Sequence, residues 1–432
     1  LVDRARPFSV DDLRTRWQEV DAEFRRRVAD ELGFVEFPPL PGVGVIASGQ
    51  PHHLLASMND QVLDAWQAQG VRLIASHSPG WVNNEIWRDG AMQAQHVNGG
   101  ECSIQDWVPS QPVAPLWTAF EARCAKRGIG YYPWLGQTTV DGGPFTQRVG
   151  QAREHWSLNT PDDACGPGYE PKHVKGNLRD AGFRAEFDRC LEQTFTAQGL
   201  QGFWIDSFQN LFMSQLAWSD GSGAPLQRAW WEWLAAWSRR GVATMAESHA
   251  FPGISCSIEV AGWEQDLWYF RQVWKWHRGD SMKGYAPDQL EDQCFRALAV
   301  GGWVAPGQAY GAKADLGIPR FGEFANLYLK ALPAMCCGYV LPGGAGMLWL
   351  PVTGEGEGIV FTFADLPLPA GASATGLVDG VAAQTLARRS GYRVQAADLC
   401  SAFGVRRPPL ADERLGRARV VPVSAWPIKG TP

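Results

Sequence analysis

The stretch Gly199–Asn210, GLQGFWIDSFQN, decides how the rest of the chain is read. An apolar run, Gly202–Ile205, stops at a carboxylate, Asp206, and gives way to a polar loop. Just upstream, Asn177–Phe195 (NLRDAGFRAEFDRCLEQTF) carries apolar residues at helical spacing, so the whole reads helix, turn, strand, acid. A short apolar strand fed by a helix is the repeating unit of a parallel α/β sheet. An acid at its C-terminal end faces the rim where the loops gather. The structural alternative for Asp206 is a cap on the following helix.

Outward from this unit, similar apolar runs recur at Val43–Ile46, Val71–Ala75, Ile129–Trp134, Val242–Glu247, Asp266–Phe270, Trp303–Pro306 and Tyr339–Leu341. Helical patterns such as Asp60–Gln69 and Pro115–Lys126 separate most of them. Together with Gly202–Asp206 they make the eight strands of a (β/α)8 TIM barrel, an α/β fold, although Ile254–Val260 competes for the sixth place. The segments Pro79–Pro112 and Gln137–Asp180 are long and rich in Gly, Pro, Asn and Trp, and loops of this kind after strands form the active face. Ser9–Leu32 reads as an amphipathic helix stopped by Gly33. The expected division is a helical segment over 1–40, a barrel over 41–347 and a small antiparallel β domain over 348–432, the last acting as a structural prop.

Composition narrows the partners. A formal charge of −6 offers no positive face for nucleic acid or an anionic membrane, and no apolar run is long enough to span a bilayer. The chain carries 21 Trp, which would fill a large core, cover the C–H faces of sugar rings, or do both. Its nine Cys lack CxxC or Cys/His spacing, so neither a disulfide framework nor a zinc site is indicated. That usage favours a reducing, cytoplasmic setting, while Leu at position 1 leaves an upstream signal open. His52, His53 and His277 have no carboxylate at metal-like spacing, and Gly343–Trp349 (GGAGMLW) lacks the order of a nucleotide-binding loop, so no metal or cofactor is expected.

A second acid follows one unit later. In Gly241–Gly253 (GVATMAESHAFPG) a strand ends at Glu247, with His249 close behind. Acids at the ends of adjacent parallel strands, about 4.8 Å apart, approach the ~5–5.5 Å carboxyl separation of a retaining glycosidase. Asp206 would then be the ionised nucleophile. Glu247, if burial and the neighbouring charge raise its pKa, would protonate the leaving oxygen and then activate water. A charge paired with Arg or His249 to orient substrate is the alternative for Glu247. His77, Trp81 and Asn83 follow the second strand, Asp106 and Trp107 lie in the next long loop, Trp134 ends the third strand, and Lys175 and Asn177 precede the helix leading to Asp206. With Trp204 and His249, these are the candidates for holding hydroxyls and ring faces of an oligosaccharide or glycoside, each against a structural alternative.

The run Ala125–Gly136 (AKRGIGYYPWLG) through Asn177–Phe208 resembles the strand-three to strand-four segment of retaining α-glycosidases, particularly the α-galactosidase clan of glycoside hydrolase families 27, 31 and 36. The resemblance covers about Pro109 to Asp206, with GxxGFWxD as its core, and implies that Asp206 is the nucleophile. That clan places its acid/base Asp on strand six, which would point to Asp266 or to Asp280 in HRGDS, whereas an acid/base Glu on strand five, as Glu247 would be, resembles the α-amylase clan. Trp204 stands where those α-galactosidases often carry a basic residue, and their acidic pair after the first strand has no counterpart in Gly44–His53, so the resemblance stops short of galactose specificity.

The expectation is therefore a retaining glycoside hydrolase or transglycosylase acting on an α-linked sugar. The competing readings are a catalytically silent glycan-binding barrel and a sugar lyase or isomerase using Glu247 or His249 as base. Homo-oligomerisation is left open.

Overall fold

The computed structural model describes residues 30–33, 43–48, 51–76, 81–83, 104–109, 114–135, 138–140, 143–159, 173–200, 202–205, 216–217, 224–247, 256–258, 273–277, 287–299, 303–309, 312–335, 337–350 and 356–405. Eight strands form one parallel sheet: β1 (Val43–Ser48), β2 (Val71–Ser76), β3 (Gly130–Leu135), β4 (Gly202–Ile205), β5 (Ala243–Glu247), β6 (Cys256–Ile258), β7 (Val273–His277) and β8 (Trp303–Ala309). Their order is β6-β5-β4-β3-β2-β1-β8-β7, so the last strand in the chain pairs with the first. The two end strands, β6 and β7, also approach to within 8 Å between Cα atoms.

Helices return the chain between strands: α1 (Asp60–Ala68), α2 (Ala114–Lys126), α3 (Ala181–Gln198), α4 (Ala224–Arg239) and α5 (Pro287–Ala299), with α6 (Phe321–Ala331) after β8. Their boundaries follow from local chemistry. Asn59 caps α1 by accepting from the Val62 amide at 3.1 Å, and Asp180 caps α3 by accepting from Phe183 at 2.7 Å. α3 stops at Gly199, whose φ of 71° is left-handed and suits glycine. Asp30–Leu32 is helical and ends at Gly33, where Arg239 of α4 donates to the carbonyls of Leu32 (2.6 Å) and Gly33 (3.3 Å). Residues 9–29 of the expected first helix lie outside the described residues.

Indoles fill much of the layer between helices and sheet. Trp66, Trp107, Trp117, Trp156 and Trp233 have no exposed surface. Trp233 and Trp237, one turn apart on α4, both donate to Asp188 Oδ1 of α3, at 2.7 and 2.9 Å, so their polar edges are satisfied inside the packing. Trp66 donates to the Lys313 carbonyl at 2.8 Å, tying α1 to the segment before α6.

The first five strands fall where the sequence puts them. The sixth is Cys256–Ile258, within the competing stretch Ile254–Val260; Asp266–Phe270 lies outside the described residues. The seventh, VWKWH, was not foreseen, because Lys275 and His277 interrupt its apolar character, and Trp303–Ala309 is therefore the eighth. Tyr339–Leu341 is not a strand of this sheet. Cys337–Val340 pairs antiparallel with Gly346–Leu350 across the short turn Pro342–Gly344, far too short for the crossover that parallel pairing needs.

Those two segments, β9 (Cys337–Val340) and β10 (Gly346–Leu350), open a five-stranded antiparallel sheet with β11 (Glu357–Thr362), β12 (Ser373–Gly376) and β13 (Ser390–Gln395), in the order β9-β10-β11-β13-β12. The expected boundary between 347 and 348 thus falls inside β10. Strand alternation divides β10 between two cores: Met347 and Trp349 join the main core, Leu348 and Leu350 the smaller C-terminal one. The Trp349 indole donates to the Ala299 carbonyl at the end of α5, at 2.7 Å.

A charged clasp closes the same junction. The buried Arg389 guanidinium reaches Asp288 Oδ1 (2.8 Å), Glu291 Oε2 (3.0 Å) and Asp292 Oδ1 (3.3 Å) on α5. Its backbone is held at φ 56°, in the left-handed region, with its amide on the Thr362 carbonyl. Removing the guanidinium takes its bonds from these acids, although Asp292 keeps Arg296 and Arg388, at a cost of about 2 kcal/mol. Arg389→Ala is therefore expected to lower the unfolding free energy, and Arg389→Gly, which relaxes the backbone, to lower it by about 1 kcal/mol less. Urea titration of the three proteins checks the order.

A second stability prediction concerns α2. Burial pushes the Glu121 carboxyl well above the usual carboxylate range, against the opposing effect of the Trp117 indole N–H. The folded state therefore holds this proton at pH values where the unfolded chain has released it, and stability falls as pH rises from about 4.5 towards the folded pKa. Glu121→Gln should match wild type at pH 4 and be the more stable at pH 8, as read by thermal melts across that range.

Candidate active site

All eight strands point the same way, so their C-terminal ends share one rim, and the long excursions leave from it. The register defines the rim. Leu135 of β3 pairs with Ile205 of β4, Ile205 with Ala246 of β5, and Glu247 with Ile258 of β6. One step lower, Trp134, Trp204 and Met245 are in register across the same three strands. Asp206 follows Ile205 directly in the chain and lies outside the described residues, as do His77, His249, Asp266 and Asp280. Glu247 is the last residue of β5, immediately after the partner of Ile205.

Two hairpins rise from neighbouring strands. After β2, Trp81–Asn83 pairs with Ile104–Pro109: Trp81 faces Pro109 and Val82 faces Asp106 across the ladder. After β3, Thr138–Val140 pairs with His173–Lys175, placing Lys175 opposite Thr138. The excursions after β3 and β4 also meet, through Leu158–Asn159 and Leu216–Ala217. The structure thus gathers Trp134, Trp204 and Glu247 on consecutive strands, Trp81, Asp106 and Trp107 on one hairpin, and Lys175 on the next.

What Asp106 and Trp107 touch is largely structural. Trp107 is fully buried, edge-on to Phe145 at 4.7 Å and Phe187 at 4.8 Å, and its carbonyl accepts from Thr194 of α3 at 3.0 Å. With both neighbours in place its ring faces are closed to a ligand. Asp106 is also buried, and its Oδ1 takes a 2.7 Å bond from Arg148 Nη2. Trp134 is 3% exposed and belongs to the main core rather than standing open as a subsite wall.

Lys175 is carried by a tight local fit. A Cβ at Gly176 would stand 1.7 Å from the Phe183 ring, which in turn stacks on Trp156 at 5.6 Å. Only glycine lets the chain pass this ring. Asn177, buried beside it, accepts from the Arg179 amide and donates its own amide to the Trp156 carbonyl.

Electrostatics concentrate around Arg148 in the helix Pro144–Val149. Its Nε meets Glu186 of α3 while Nη2 meets Asp106, and Arg189 grips Glu186 from the other side at 2.7 and 2.8 Å. Burial would raise the Glu186 pKa, but the Arg189 and Arg148 bonds outweigh it and hold the carboxyl at about 2. The Cys190 thiol, 3.3 Å from Arg148 and 3.4 Å from Asp106, is pushed up to about 12, mainly by burial and then by Asp106. Arg148 has no local signal in PFTQRV and is not found from sequence; His277, set aside there as a metal ligand, ends β7 in register with Gly307 of the eighth strand. Among the described residues no group of three His, Cys, Asp or Glu side chains is arranged to hold a metal, and no helix is long and apolar enough to cross a membrane.

No family model and no curated protein matches this chain. Solved structures share its fold. An α-amylase from Anoxybacillus, described with a new glycosyl hydrolase subclass, superposes with a TM-score of 0.56 at 11% identity, over 84% of this chain and 99% of its own. A GH31 family sulfoquinovosidase from E. rectale gives 0.56 at 11% identity, over 88% of this chain and 66% of its own. A GH36 α-galactosidase from Geobacillus stearothermophilus gives 0.55 at 9% identity, over 82% and 55%. What these structures share with the chain is the fold, and it is common to an amylase, a GH31 enzyme and a GH36 enzyme alike.

The Gly176 fit makes a direct prediction. Gly176→Ala forces the Phe183 ring out of its stack, a clash that should cost about 3 kcal/mol. Phe183→Leu in the same chain should recover part of the loss, which a double-mutant melt would measure.

Proposed function

We propose that this chain is a glycoside hydrolase built on a closed (β/α)8 barrel, in which Asp206 is the nucleophile and Glu247 the acid/base of a retaining reaction on an α-linked sugar. The observation that carries the reading is the Ile205–Ala246 register pair: the two acids directly follow matched residues of adjacent parallel strands, about 4.8 Å apart. That spacing suits the ~5–5.5 Å separation of a nucleophile and an acid/base in a retaining enzyme. Closure of the barrel is supported by the β1–β8 pairing and by the approach of β6 to β7.

The strand order also bears on the choice of acid. With Cys256–Ile258 as the sixth strand, Asp266 belongs to the connection that follows it, and Asp280 comes three residues after the seventh strand rather than at the end of the sixth. Glu247 is thus favoured over both. Asp206 attacks the anomeric carbon as Glu247 gives its proton to the leaving oxygen; Glu247 then takes a proton from water, which releases the sugar from Asp206. Trp81, Trp204, Lys175, His77 and His249 are the candidates for seating the sugar; Trp134 lies in the core, and Asp106 and Trp107 serve the site by holding a hairpin.

Rates on a panel of activated aryl α- and β-glycosides, with and without azide, test this. Asp206→Ala is expected to abolish turnover, and Glu247→Ala to lower it by about 10²–10⁴ through the lost general base in the step that frees the sugar from Asp206. Azide should rescue each variant with opposite anomers of glycosyl azide. Full activity of folded Glu247→Ala would remove it from the acid/base role. Binding of sugars by a wild type that cleaves nothing would instead mark a silent barrel.

A further inference from the structure

Arg148 joins three elements that are distant in sequence. It belongs to the excursion after β3, its Nη2 bonds Asp106 in the excursion after β2, and its Nε bonds Glu186 on α3. Asp106 is the ladder partner of Val82, which neighbours Trp81. The fastening therefore lies across one strand pair from a candidate sugar-contacting residue. It is also the polar part of a larger seat, since the next residue, Trp107, is locked between Phe145 and Phe187.

We propose that Arg148 is a positioning residue for substrate binding: it pins the hairpin after β2 to α3, and so sets where that hairpin stands over the rim. This rests on the glycoside hydrolase reading. Only a guanidinium suits the place, because two separate N–H groups serve two carboxylates at once, which a lysine ammonium on a flexible stem does less well. Without Arg148 the buried Asp106 would lose this cation, while Glu186 would keep Arg189 on its other side. Because the contact is remote from the reacting bond, its loss should weaken substrate binding and leave the chemical step nearly intact.

The test compares wild type, Arg148→Met, Arg148→Lys and the double variant Asp106→Asn/Arg148→Met, which removes the stranded buried charge along with the bridge. Amide hydrogen exchange should quicken at 81–83 and 104–109 in Arg148→Met while the strands β1–β3 remain as protected as in wild type. Cys190 should become open to alkylation in the native protein. On the aryl glycoside that wild type cleaves, KM should rise about tenfold with kcat within about threefold. Arg148→Lys should recover part of KM, and the double variant should regain thermal stability but not KM. Unchanged exchange in the hairpin, or an unchanged KM in a folded variant, overturns the proposal. A wild type inactive on every glycoside would sink the reaction assigned above, while exchange and alkylation would still decide whether Arg148 fastens the hairpin.

Discussion

Parallel pairing is the constraint from which the remaining architecture follows. Each strand must be reached by a return across the sheet, so every strand finishes on the same rim, and each excursion from that rim must find support without a partner strand in the main sheet. The hairpins after β2 and β3 solve this by pairing within themselves, the first packing on α3 and the second against the first. The register then turns a sheet into a site. Since Leu135, Ile205 and Ala246 stand level on consecutive strands, residues at neighbouring strand ends come together although they are far apart in the chain.

Much of this was legible in the residues. Gly202–Ile205 and Val242–Glu247 are short apolar runs closed by acids, and backbone periodicity locates such strands without knowledge of the tertiary structure. The seventh strand escaped because VWKWH alternates Trp with Lys and His, a pattern in which apolar content is no guide. Tyr339–Leu341 misled for the opposite reason: it is a true strand, but its partner is set by the length of the turn that follows, and composition does not report partners. The site was read unevenly as well. A strand-ending acid such as Glu247 is found from sequence because chain position alone puts it at the end of β5, whatever its role. Arg148 was not, since its importance comes from carboxylates on two other elements.

The Trp-rich composition divides along the same line. An indole serves a core or a sugar equally well on composition, and only burial separates the two uses. Trp66, Trp117, Trp233 and Trp237 belong to the scaffold, with Trp233 and Trp237 giving their N–H groups to a single Asp188 oxygen. Trp107 shows how a residue in a rim excursion can still be core, because the hairpin carrying it is itself clamped down by Phe145 and Phe187.

The two-faced strand β10 bears on how such a chain could be recombined. Met347 and Trp349 complete one core while Leu348 and Leu350 complete the other, and Trp349 also caps the end of α5. A cut at the apparent domain border would take indispensable side chains from both sides. The C-terminal sheet and the eight-stranded parallel sheet therefore share a strand's worth of core, and moving the C-terminal sheet to another scaffold would require carrying α5 along with it.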